Sequence, residues 1–164
     1  MRHGEAGKRT PVAAKDSTRA LTAAGRQEIE EVGEAMAKLG YRFDVVVASP
    51  LKRAKETANL VSEAMNRKGR VEEWTELNPE GSRSAFYRRL SGIRPGSKVL
   101  CVGHEPYLTT VMGEIAGRGG EGSGGFRISL KKGGLAKLLV MGFNPTITGE
   151  LRWLLTPKQI RRMA

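Results

Sequence analysis

Short apolar runs rich in β-branched residues alternate with longer amphipathic segments along most of this chain. The runs FDVVVASP (43–50) and SKVLCVGH (97–104) are bounded by turn residues, which is typical of buried strands. The segment before the first run has Ile29, Val32 and Met36 at helical spacing. This alternation predicts an α/β domain, a three-layer αβα sandwich around a mainly parallel central sheet.

The other elements follow from the same patterns. Segment 70–79 is predicted to be a strand that runs into a turn, and 126–142 and 149–160 to be antiparallel strands with a turn at Gly133 and Gly134. The glycine-rich stretch 117–125 follows a helix and precedes a strand, so it is interpreted as a flexible connection and not as a nucleotide-binding loop. Helices are predicted at 21–41, 51–69, 82–93 and 105–117.

Composition and charge limit the classes of function. The 164 residues fit one domain (1–164), and 28 Lys and Arg against 17 Asp and Glu give a net charge of +11. This excess attracts anionic partners without choosing among them. Aromatics make up only 5% and do not interleave with basic residues, so no specific nucleic-acid interface is expected. No apolar run could span a membrane and no apolar signal region opens the sequence, so a cytoplasmic location is expected.

The single cysteine, Cys101, excludes an intrachain disulfide and agrees with a reducing compartment. Its apolar setting predicts a small core residue and not a nucleophile. No cofactor is implied, and two histidines are too few for a metal site built on imidazoles. The oligomeric state stays open.

Arginine and histidine occur where loops are expected to meet. Arg2 and His3 open the chain, Arg53 follows the first apolar run, and His104, the only other histidine, ends the second. Ligands bind at the carboxyl ends of parallel strands, so these side chains could form one anion site. Taken singly, each has a plainer explanation: a frayed terminus, a solvated surface charge or a structural histidine.

Such a cluster suits phosphoryl transfer. Neighbouring positive charges disfavour protonation of an imidazole, which leaves its nitrogen free to attack phosphorus. The guanidinium groups and the second imidazole would then stabilise the negative charge that develops on the phosphoryl oxygens.

Five segments in this order, RHGEA, DSTRALTAAG, VVVASPLKRAKETA, ELNPEG and VGHEPYL, resemble the histidine phosphatase superfamily (phosphoglycerate mutase-like). The match is closest to a short branch of phosphohistidine phosphatases, and it extends to LKKGGLAKLLV and WLLTP near the end. The resemblance implies a cytosolic α/β fold, no metal, and two-step transfer through a phosphorylated histidine. It implies these roles: His3 as nucleophile, Arg2, Arg53 and His104 as phosphoryl-binding and catalytic groups, and Arg19 as a further arginine near the pocket.

The sequence departs from the family pattern at its start. Relatives carry a short apolar strand before the RHG triplet, whereas here only Met1 precedes Arg2. Without that strand His3 is expected to hang on a free terminus. Either the true start lies upstream or the site is weakened.

The second departure from the family pattern concerns the general acid: no carboxylate is obviously placed to protonate a leaving oxygen. Glu80 and Glu76 are candidates, and Glu105 is given no catalytic role.

The expected function is therefore hydrolysis of phosphohistidine on a protein of the histidine-phosphotransfer type. The alternatives are a phosphatase of small phosphoesters or phosphoanhydrides, a catalytically weakened phosphate-binding regulatory protein, and a basic nucleic-acid-binding domain.

Overall fold

A computed structural model of the chain describes residues 1–8, 11–12, 16–67, 69–117, 128–144 and 146–164. Helices and strands alternate through most of it, as the sequence predicts. In chain order the elements are α1 (Ala23–Lys38), β1 (Val45–Ala48), α2 (Lys52–Ala64), β2 (Glu72–Glu73), a 3₁₀ turn (Thr75–Leu77), α3 (Arg83–Ser91), β3 (Val99–Val102), α4 (Tyr107–Ala116), β4 (Leu135–Gly142), β5 (Thr148–Leu155) and α5 (Pro157–Met163).

The central sheet is parallel, with strand order β2-β1-β3. In β1, Val46 and Ala48 face a core formed with α1, α2 and α5, while Val47 faces a second core formed with α3 and α4. Strands β4 and β5 form a separate antiparallel pair. The fold is therefore the predicted α/β sandwich with a mainly parallel central sheet. None of the helices in the described part of the chain is long and apolar enough to cross a membrane.

The first three residues continue the parallel sheet beside β3. Arg2 bridges Gly103 in parallel register, His3 N–H donates to the Gly103 carbonyl (3.0 Å), and Gly103 N–H donates to the Met1 carbonyl (3.1 Å). The terminal amine of Met1 donates to the Cys101 carbonyl (2.7 Å), and burial lowers the pKa of this amine to about 6. Burial also raises the pKa of the Cys101 thiol to about 11, which keeps it protonated.

Backbone hydrogen bonds also hold Arg2 and His3 on the edge that faces away from β3. Arg2 N–H donates to the Gly134 carbonyl (3.0 Å), and Gly133 N–H donates to the His3 carbonyl (3.1 Å). The expectation that His3 hangs on a free terminus is therefore wrong. Three residues are enough to fix its backbone because they are bonded on both edges.

A turn lies at the predicted place, because Gly134 N–H donates to the Lys131 carbonyl (2.8 Å) and Gly133 has φ +67°. It precedes β4, which begins at Leu135, so it does not join β4 to β5. Of the strand predicted at 70–79, only two residues pair with β1. The flexible connection predicted for 117–125 falls almost wholly outside the described residues.

Helix α1 begins and ends as its sequence predicts. The Thr22 hydroxyl caps it by accepting from Gly25 N–H (2.9 Å), and Gly40 follows its end at φ +77°. A Cβ atom at Gly25 would lie 2.2 Å from the Glu5 carbonyl oxygen. The glycine thus allows α1 to pack directly against the loop that follows His3.

We expect Gly25→Ala to lower the free energy of unfolding by about 1–3 kcal/mol, because backbone on both sides must move to admit the methyl group. Gly113→Ala is the matched control, since a Cβ at this α4 position meets nothing within 4 Å. The free energy of unfolding of this control should rise by about 0.5–1 kcal/mol, because alanine has a higher helix propensity than glycine. Urea unfolding of both variants measures the difference, and equal stabilities would contradict the close contact.

Candidate active site

The structure brings three of the predicted site residues into one buried cluster. The imidazole centroids of His3 and His104 are 5.1 Å apart, with ring planes tilted by 55°. His3 is 6% exposed, His104 2% and Arg53 4%. Strand ends explain the cluster: His3 ends the segment beside β3, His104 follows β3, and Arg53 lies in the first turn of α2 after β1.

Hydrogen bonds fix the tautomer of His3. Its Nδ1 lies 2.7 Å from the Gly4 carbonyl oxygen, which can only accept, so Nδ1 carries the proton. In the neutral ring Nε2 is therefore bare, meaning that it carries no proton and can accept a hydrogen bond. Arg53 Nε–H donates to it at 3.3 Å. Thr57, itself buried, accepts from Gly4 N–H (3.0 Å) and so holds the loop beside the ring.

A carboxylate, Asp16, positions two of the arginines. Its Oδ2 lies 3.3 Å from Arg53 Nη2, and its Oδ1 lies 3.0 Å from Arg19 Nε. Arg53 Nη1 also donates to the Asp16 carbonyl (2.9 Å), and Arg19 Nη1 donates to the Gly7 carbonyl (2.9 Å). Arg19 thus joins the cluster through Asp16, next to Arg53.

His104 is held through a polar chain on the other side of the cluster. Ser49 Oγ–H donates to Asn78 Oδ1 (2.7 Å), so the same oxygen must accept from His104 Nε2–H (2.8 Å). His104 Nδ1 is then bare, and it is buried without a hydrogen-bond partner among the described residues. Each imidazole thus has one unprotonated nitrogen: Nε2 of His3, which accepts from Arg53, and Nδ1 of His104.

Both imidazoles are neutral near pH 7. Burial above all, together with the charges of Arg53, Arg2 and Arg19, lowers the pKa of His3 to about 4. Burial likewise lowers the pKa of His104 to about 3. An uncharged nitrogen beside guanidinium groups is suited to attack an anion that those groups attract.

Arg2 and Glu105 flank the cluster. Arg2 Nη1 donates to the Leu130 carbonyl (2.9 Å), while its Nε is buried without a partner among the described residues. Glu105 Oε2 accepts from the Thr109 hydroxyl (2.6 Å), and burial raises the pKa of this carboxyl. The guanidinium of Arg2 is thus turned toward Leu130, at one side of the two histidines.

The two candidate general acids do not join the cluster. Glu80 is exposed in the turn after the 3₁₀ segment, and no described hydrogen bond or ion pair connects it with either histidine. Glu76 binds Arg89 Nη1 (3.0 Å) on α3. In the described part of the chain, neither carboxylate therefore contacts His3 Nε2 or His104 Nδ1.

Sequence reasoning missed Asp16, Ser49 and Asn78. Ser49 had a usable signal, because a polar residue directly after a buried strand lies at the ligand-binding edge of a parallel sheet. Asp16 opens the segment DSTRALTAAG, which carries the family resemblance, but its local pattern gives no further signal, since it shows no periodicity and its partner Arg53 is 37 residues away.

The two histidines permit a direct test of the neutral site. We expect both rings to stay uncharged when the folded protein is acidified to pH 5, because burial lowers both pKa values below that pH. His3 is neutral in the folded protein but binds a proton near pH 6.5 in the unfolded chain. The free energy of unfolding should therefore fall as the pH is lowered from 6.5 to about 4. Imidazole NMR shifts report each ring, with the urea-unfolded chain as control. A folded-state titration near 6.5 would contradict the assignment.

Comparison with known proteins agrees with this geometry. Residues 1–79 match the family described as the histidine phosphatase superfamily (branch 1). An uncharacterized protein of Picosynechococcus sp. is 34% identical over 140 residues, covering 84% of this chain and 81% of that protein. The chain belongs to the histidine phosphatase superfamily.

Solved structures share its fold. The protein histidine phosphatase SixA, solved with tungstate, superposes with a TM-score of 0.78 at 23% identity, covering 96% of this chain and 95% of that one. The alpha-ribazole phosphatase of Shigella flexneri gives a TM-score of 0.67 at 21% identity over 96% and 95% of the two chains. At these identities the likeness establishes the fold, and proteins with different substrates share it.

Proposed function

We propose that the protein hydrolyses phosphohistidine on a protein substrate through a covalent phosphohistidine intermediate at His3. The observation that carries this proposal is the bare Nε2 of His3, fixed by the Nδ1 bond to Gly4 and faced by Arg53. The fold shared with SixA supports the substrate class.

In the first step, the lone pair of His3 Nε2 attacks the phosphorus. The Nε2–P bond forms and the P–N bond of the substrate breaks. The substrate ring, protonated on its other nitrogen, leaves as neutral imidazole. Arg53 Nε–H, which donates to Nε2 in the structure, becomes a donor to a phosphoryl oxygen, and Arg19 and Arg2 add positive charge around it.

In the second step, water attacks the phosphorus of the phosphoenzyme and the Nε2–P bond breaks. The proton of the water passes to the bare Nδ1 of His104, which has no competing partner among the described residues. Charge on the phosphoryl group offsets the cost of the buried imidazolium. Orthophosphate then leaves and His104 returns its proton to solvent.

Among the described residues, neither candidate general acid contacts a histidine, which supports phosphohistidine over phosphate esters. An alkoxide needs a proton from an acid, whereas a protonated imidazole leaves unaided. Glu76 is bound to Arg89 and Glu80 is exposed, so neither supplies that proton in the described arrangement.

Phosphate release from two substrates tests the proposal: a histidine-phosphorylated protein, and the same protein with phosphoserine at that position. We expect kcat/KM to be about a hundredfold higher for phosphohistidine, which is the usual value of one general acid. Equal values would refute the preference. Faster turnover of small phosphoesters would favour the small-substrate alternative, and tungstate binding without turnover would favour a phosphate-binding regulatory protein.

A further inference from the structure

A second cationic feature lies beside the phosphoryl site. A cavity of about 410 Å³ is lined by Arg2, Lys131, Lys132 and Lys158, with Glu28 as its only carboxylate among the described lining residues. We call it the lysine pocket. Four cations around one cavity concentrate a positive field that attracts negative groups.

Carboxylates neutralise only part of this charge. Glu28 binds Arg161 Nη2 (3.5 Å), outside the pocket, and Lys132 is paired with Glu5 (3.3 Å). Lys131 and Lys158 are exposed and form no ion pair with another described residue. Two lysine charges are therefore available to a ligand.

Arg2 connects the pocket with the site of phosphoryl transfer. It is the residue before His3, its charge contributes to lowering the pKa of His3, and it is one of the residues that line the pocket. A substrate phosphorylated next to His3 Nε2 would therefore place neighbouring groups near Lys131 and Lys158.

We propose that the lysine pocket binds acidic side chains next to the phosphohistidine of a protein substrate. This inference rests on the proposed function and names the surface of the substrate. The net charge of +11 favours the same kind of partner over the whole molecule.

Two phosphohistidine peptides test the pocket, one with two glutamates beside the phosphohistidine and one with glutamines there. We expect kcat/KM of the wild-type protein to be about fivefold higher for the glutamate peptide, the gain from two exposed ion pairs. The double variant Lys131→Glu/Lys158→Glu should lose this preference. Lys38→Glu/Lys137→Glu changes the net charge equally at exposed positions away from the pocket, and it should keep the preference.

Equal kcat/KM on both peptides, or a preference that survives in the pocket variant, would overturn the inference. If neither peptide is dephosphorylated, the proposed function fails, and binding of the unphosphorylated fluorescent peptides then tests the pocket separately. Tighter binding of the glutamate peptide that disappears in the pocket variant would still support the pocket. Equal dissociation constants would refute it.

Discussion

Replacing His3 with alanine is expected to reduce kcat/KM for a phosphohistidine protein by about a thousandfold or more. The variant lacks Nε2, the bare nitrogen that faces Arg53 and forms the bond to phosphorus in the proposed mechanism. The binding groups Arg53, Arg19 and His104 remain, so the loss should appear mainly in kcat. Phosphate release at neutral pH measures it.

Tungstate binding distinguishes a chemical effect from misfolding. The His3→Ala protein should still bind this anion, because Asp16 continues to hold Arg53 and Arg19 in place. The variant also loses the bond between the His3 ring and Gly4, a residue that Thr57 holds through its N–H. A circular dichroism melt should therefore accompany the assay, to measure any loss of stability. Activity above a tenth of wild type would show that His3 is not the nucleophile.

The change Arg53→Lys is expected to lower kcat/KM by about a hundred- to a thousandfold, although the charge is kept. Arginine uses three nitrogens here: Nε faces His3, while Nη1 and Nη2 bind Asp16. A lysine ammonium is a single point and cannot hold Asp16 while it donates to the phosphoryl group.

Arg26→Lys is the matched control, since Arg26 lies at the surface and forms an exposed ion pair with Glu56 (3.6 Å). Its kcat/KM should stay within about twofold of wild type, because exposed pairs are worth little. If Arg53→Lys behaves like this control, the guanidinium geometry is not required for the reaction.

The sequence was sufficient to place His3, Arg53 and His104 together, for a simple physical reason. Each follows or ends an extended segment, and parallel strands bring their carboxyl ends to one edge. The amphipathic periodicity of α1, with its Thr22 cap and Gly40 end, was equally informative because both signals are local.

The errors arose where long-range packing decides. The turn at Gly133 and Gly134 exists but does not join the two antiparallel strands; it lies beside Arg2 and His3, and a Cβ at Gly133 would lie 3.1 Å from Ile29 and from Pro157. Local sequence does not encode such a neighbour. The anchoring of His3 was missed for the same reason, since its partners lie about a hundred residues or more along the chain, at Gly103 and Gly133.

The most direct test of the account is identification of the phosphorylated residue during turnover. The protein is mixed with a phosphohistidine substrate, quenched in alkali within one turnover, digested and examined by mass spectrometry. We predict one phosphoryl group per chain on His3, stable in alkali, lost in acid, and removed when substrate is exhausted. Phosphate release at full rate with no phosphoryl group on His3 would contradict covalent catalysis by this residue.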